Sequence, residues 1–229
     1  MDAALLLLVD GRFPAGGHAY SAGVEAAVAI GDVIDPPTLE RYLQGRLATT
    51  GLVDAAFAAN SCARLKNDLD ANRLEALAAG LDDEYSARMP APYLCATSRR
   101  LGRQLLRAAT RIWTTPGIDA VLMTAGGAHQ PIALGAVVAA AGGDATDAAA
   151  LSFHHLTAAV TSAAVRLLGL DPIELAVVQE RAGRESDRFR THATQWASMA
   201  PSGLPAWGGA LTEILGEHHG SLDARMFVA

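Results

Sequence analysis

Apolar residues recur at helical spacing along most of the chain, and Pro and Gly cut that pattern into helix-sized pieces. Leu39, Leu43 and Leu47 stand at i, i+4 and i+8 behind Asp35-Pro36, a cap residue followed by a proline suited to the first turn. The spacing predicts a helix over Pro36 to Thr50, broken by Gly51 and followed by a second helix to Lys66. Further helices are expected over Asp70 to Met89, Pro92 to Trp113, a short stretch from Pro116, Gln130 to Gly142, and Asp144 to Leu168. Asp171-Pro172-Ile173-Glu174 combines cap, first-turn proline and first-turn acid, and starts a helix reaching Trp196. A last helix is expected from Leu204 to His218, and residues 220–229 read as an extended or mobile tail. No period-2 alternation is bounded by hairpin turns. The expectation is an all-α protein, with one compact domain over residues 1–229 built from about nine or ten helices.

Composition sharpens this. Alanine, the best helix former, contributes 48 of the 229 residues, while aromatics are only 5%. Hydrophobic residues at 51% against 18% charged exclude a largely disordered chain. No uninterrupted apolar run reaches membrane-spanning length, and Met1-Asp2 before the leucine run makes a poor signal peptide, so the expected compartment is the cytoplasm. A net charge of −6 argues against general nucleic-acid binding. Lys66 is the only lysine and follows Leu65, so the Gly-Lys-Ser/Thr phosphate loop is absent. Cys62 and Cys95 form no C-x-x-C, and the seven histidines form no H-E-x-x-H or i,i+4 pair. No cofactor or metal is expected to bind the chain directly, and no catalytic residue is assigned. Neither G-x-S-x-G nor G-x-G-x-x-G occurs.

Three constellations stand out. On a helix through Ser98 to Trp113, Leu101, Leu105, Ala108 and Ile112 form one stripe. Arg99, Arg100, Arg103, Arg107 and Arg111 lie opposite, a face that either pairs with this chain's own acids or meets an acidic partner. Gly102, costly inside a helix, suggests a close helix approach. The loop from Gly11 to Glu25 concentrates glycines with Phe13, Pro14 and Tyr20; its aromatics either plug the core or anchor an interface.

These residues also carry a resemblance. Pro14, Gly16-Gly17, Tyr20, Ser21, Gly23 and Glu25 are similar to the P-x-G-x-x-x-Y-S-x-G-x-E signature of the urease accessory UreF family. Ala96 to Arg103, with Ser98, Arg99 and Gly102, resembles its A-x-S-R-x-x-G segment. His129-Gln130-Pro131 with Gly135 resembles its H-x-P-x-x-x-G segment, Ser162 to Leu167 with Arg166 its S-A-A-x-R-L helix, and His218 to Phe227 with Arg225 its tail. The chain departs from the family at Leu168-Gly169-Leu170-Asp171-Pro172, where P-L-G-Q is common, and at His18-Ala19, where Phe-Ser is common.

The resemblance implies an all-helical homodimer that is not an enzyme. It implies a scaffold that binds UreD (also called UreH) and, with it, the GTPase UreG. That assembly docks on urease apoprotein for nickel-centre assembly, nickel and GTP being handled by the partners. The implied partner-binding residues are Phe13, Pro14, Tyr20, Ser21, Glu25, Ser98, Arg99, Arg103, His129, Arg166, Arg225 and Phe227. Arg99, Arg103 and Arg166 are the candidates for an arginine acting on a bound GTPase. The rivals are a helical adaptor or ligand-binding regulatory module unrelated to urease, and a helical enzyme.

Overall fold

The computed structural model describes residues 3–66 and 70–227. Among them are eleven α-helices and no strand. They are α1 (Ala3–Val9), α2 (Val24–Ala29), α3 (Pro36–Ala48), α4 (Thr50–Leu65), α5 (Ala71–Ser86), α6 (Pro92–Ala109), α7 (Pro116–Leu122), α8 (Gln130–Ala140), α9 (Ala145–Leu168), α10 (Pro172–Gln195) and α11 (Ala210–Ser221). The all-α expectation holds, and the long helices fall where the punctuation places them.

The caps explain why. Asp35 forms a capping box with Thr38, and Asp144 one with Asp147. Asp70, Thr115 and Asp171 each accept a backbone N–H of the first turn. Gly169, inside the stretch that departs from the family pattern, is a left-handed cap at φ +64° that ends α9.

The differences are local. α1 and α2 fall in short segments that the periodicity reading did not resolve. α6 stops at Ala109, so Ile112 leaves the apolar stripe and is 51% exposed. α11 starts at Ala210 rather than Leu204, behind the extended Pro205 to Gly209.

Two apolar clusters share the inner helices. One gathers residues of α1 and α4 to α8, including Leu8, Phe57, Leu81, Leu105, Ile132 and Leu134. The other gathers α2, α3, α9, α10 and α11 around Leu39, Leu43, Phe153, Val160 and Leu215. α4 serves both, with Phe57 in the first and Leu52 and Ala59 in the second. Alanine and glycine let helices approach closely. At Gly135 of α8, an added Cβ would lie 2.4 Å from the Ala58 carbonyl oxygen of α4. The Ser61 hydroxyl of α4 donates to the Ile132 carbonyl at 2.8 Å across that crossing.

α9 is the one helix among the described residues that bears on the membrane expectation. By length and composition it is apolar enough to cross a membrane. It is instead packed between α4 and α10, with 61% of its most apolar window buried inside the protein. That is how a core helix of an alanine-rich bundle reads.

Candidate functional site: a tail clasp and a loop clamp

The singled-out residues gather into two assemblies. The first is built on the N-terminal loop. Gly16 and Gly23 take left-handed φ of +81° and +85°, turning the chain into α2. A Cβ on Gly16 would overlap Gln104 of α6. Within this frame Glu25, 7% exposed, faces the C-terminal segment. Its carboxylate accepts from His219 Nε2 at 2.8 Å, from the Met226 amide at 2.7 Å and from the Phe227 amide at 3.1 Å. Phe227 is buried, and the Arg166 guanidinium stacks 4.2 Å above its ring while donating to the His18 carbonyl. Arg225 donates to the Tyr93 hydroxyl, whose ring packs on His219.

The expected mobile end is therefore seated as far as Phe227, because one buried carboxylate gathers two of its amides; residues 228–229 lie outside the described residues. Replacing Glu25 with alanine strips these three donors of their acceptor at a cost of about 2–3 kcal/mol. Hydrogen exchange should then show the Met226 and Phe227 amides losing protection while the core amides of α4 keep theirs.

The loop aromatics take the core role. Phe13 is buried in the first cluster, and Tyr20 is half-buried against the second. Ser21 is fully buried, its hydroxyl without a partner. Exposed here are Pro14, Gly17 and His18.

The second assembly holds the loop between α7 and α8. Asp82 of α5, 2% exposed, accepts the His129 amide at 2.9 Å at the start of α8 and pairs with Arg99 of α6 at 2.7 Å. Arg99 also donates to Ser86 Oγ at 3.0 Å and to the Gly127 carbonyl. Arg103 donates to the Gly126 carbonyl at 2.8 Å, and Ser98 Oγ accepts the Gln130 amide. Gly102 faces the same loop, where a Cβ would lie 2.1 Å from the Ala128 carbonyl oxygen. The close approach expected at Gly102 is thus to loop backbone rather than to a helix. Of the arginine face, Arg99 has its acid inside the fold, while Arg100, Arg107 and Arg111 are exposed with no ion pair among the described residues.

The chemistry here is that of a clamp. Ser86 Oγ meets His129 Nε2 at 2.9 Å, but the ring is fully buried and Asp82 binds the histidine amide rather than Nδ1, which has no partner. A serine–histidine–carboxylate relay needs that ring contact and an open face. Among the described residues no three His, Cys, Asp or Glu side chains group closely enough to hold a metal.

Burial, with the Arg99 charge second, lowers the His129 pKa to about 3. The unfolded chain binds this proton near pH 6.5 and the folded chain only near 3. The resulting stabilisation is complete above about pH 6.5 and is lost as pH falls toward 3, at up to about 1.4 kcal/mol per unit. Burial lowers His154 and His155 in the same direction. Burial raises Asp54, Asp82 and Glu213, whose effect has the opposite sign from the carboxylate range upward. Urea midpoints from pH 5 to 7.5 isolate the His129 contribution by difference: His129→Asn should lose less stability toward acid than wild type does.

Asp82, Ser86, Tyr93 and His219 complete the two assemblies without having been assigned to them from sequence. Their sequence neighbourhoods carry no pairing signal, since each partner lies on a distant element.

The sequence profile of the UreF family matches residues 33–183. A urease accessory protein UreF of Mycolicibacterium vanbaalenii is 44% identical over 177 residues, covering 77% of this chain and 78% of its own. That of Mycobacterium sp. strain JLS is 41% identical over 227 residues, covering 98% and 97%. That of Mycobacterium tuberculosis H37Rv is 33% identical over 228 residues, covering 99% and 98%. The last two alignments span nearly the whole chain. The chain belongs to the UreF family of urease accessory proteins.

Proposed function

We propose that this chain is a non-catalytic, homodimeric cytoplasmic scaffold for urease maturation. It binds UreD/UreH, recruits the GTPase UreG and presents both to urease apoprotein, while nickel and GTP stay with the partners. The observation that carries this reading is the near full-length similarity to urease accessory proteins, which takes in the segments of both the clasp and the clamp. The geometry supports it in two ways. Surface is offered where a partner can reach it: Pro14 and His18 on the loop, Arg225 and Met226 on the tail, and Arg100 and Arg107 on α6 with Arg111 in the turn just after it. The last three form a basic strip suited to an acidic protein surface. Of the three candidates for an arginine acting on a bound GTPase, Arg99 is paired with Asp82, while Arg103 and Arg166 are exposed and each donates to one backbone carbonyl, so these two remain.

The test is urease activation. Urease apoprotein would be produced in nickel-supplemented cells with its accessory proteins, with and without this chain. Without the chain, nickel content and urease activity should both fall toward the apoprotein level. Full activation in its absence would contradict the proposal.

A further inference from the structure

A cavity of about 300 Å³ lies among the N-terminal loop, the α3–α4 junction, α5, α6, α9 and α11. Ser98 and Gln130 of the clamp and His18 of the clasp reach its wall, but no bond of either assembly involves Arg46. Much of its wall is apolar, contributed by Leu8, Phe13, Leu101, Leu105 and Leu156. Arg46, at the end of α3, forms part of the wall and is 7% exposed. A guanidinium cannot shed its charge, and burying it without a partner is costly. Yet among the described residues no carboxylate lies within ion-pair distance of Arg46, and its Nε makes no hydrogen bond. One turn on, the Thr50 hydroxyl is buried at the same wall, also without a partner.

The two acids at this end are already engaged. Asp54 accepts the Tyr85 hydroxyl at 2.6 Å, and Glu213 accepts the Ala91 amide at 2.9 Å. Burial raises the pKa of both, which weakens them as counter-ions. The Tyr42 hydroxyl is spent on the Ala22 carbonyl at 2.6 Å, and Tyr20 beside the guanidinium offers no negative charge at neutral pH. The cavity thus has an apolar body and a polar end where the Arg46 guanidinium, without an ion pair among the described residues and with its Nε unbonded, shares the wall with Asp54 and Glu213. Its volume is in the range of small-ligand pockets.

We propose that this cavity is a binding site for a small organic acid, a monocarboxylate with an aromatic or short aliphatic body, whose carboxylate meets the Arg46 guanidinium. The planar fork of arginine matches a carboxylate, and the leucines and Phe13 receive the apolar part. This inference does not depend on the urease reading.

Calorimetric titration of the full chain with benzoate, benzyl alcohol and benzylamine tests it. Benzoate should bind about tenfold more tightly than benzyl alcohol, since a hydrogen bond to a charged group discriminates on that scale. Arg46→Met should abolish that preference while leaving benzyl alcohol binding unchanged. No benzoate binding, equal affinity for benzoate and the alcohol, or preference for benzylamine would each overturn the proposal. Should Arg46→Met not fold, wild-type crystals soaked in 4-iodobenzoate decide. Iodine inside the cavity with the carboxylate on Arg46 is expected, and a cavity without iodine overturns the proposal.

Discussion

Replacing Asp82 with alanine is expected to destabilise the protein by about 3 kcal/mol, read from urea unfolding at pH 7.5. The substitution removes two bonds at once, the acceptor of the buried His129 amide and the carboxylate facing Arg99. Arg99 keeps Ser86 Oγ and the Gly127 carbonyl and is 22% exposed at its side chain, so the loss stays below that of a sealed ion pair. Asp82→Asn separates the contributions. Its amide oxygen still receives His129 N–H, and burial already pulls the Asp82 carboxyl toward its neutral form, so it should cost about half as much. Equal losses in the two variants would mean that the charge, rather than the bond to the start of α8, holds the clamp.

Gly135→Ala should cost about 3 kcal/mol or more for a single methyl group. The new Cβ would stand 2.4 Å from the Ala58 oxygen, 2.6 Å from Ser61 Cβ and 2.7 Å from the Cys62 nitrogen. Two of those atoms are backbone of α4, so relief requires the two most central helices to move apart. Gly183→Ala on α10 is the matched control. It meets nothing within 4 Å and should stabilise by about 0.5–1 kcal/mol through helix propensity alone. A Gly135→Ala protein as stable as wild type would show that the α4–α8 crossing is looser than described.

The long helices were legible because their signals are local. Asp35-Pro36 and Asp171-Pro172 carry cap and first-turn proline within two residues, and α3 shows its leucines at regular spacing. α1 and α2, at seven and six residues, are too short for periodicity to register. At α6 the stripe continued in sequence to Ile112, but the helix had already ended. The sites were legible as residues and not as assemblies. Glu25 stood out within its motif, yet its partners are about two hundred positions away in the chain, at His219, Met226 and Phe227. Arg99 read as one of five like charges, and only the tertiary structure, which brings its side chain to Asp82 of α5, shows that this acid has claimed it. The loop aromatics admitted two readings, and burial of Phe13 settles its place in the free chain.

The scaffold role is tested most directly by co-elution on a sizing column. The chain would be run alone, with UreD, and with UreD and UreG together. The account predicts a dimer-sized peak that moves to a larger complex at each addition, and a smaller shift with UreD when Arg100, Arg107 and Arg111 are all changed to glutamate. A folded, soluble chain that elutes unchanged beside both partners would contradict it.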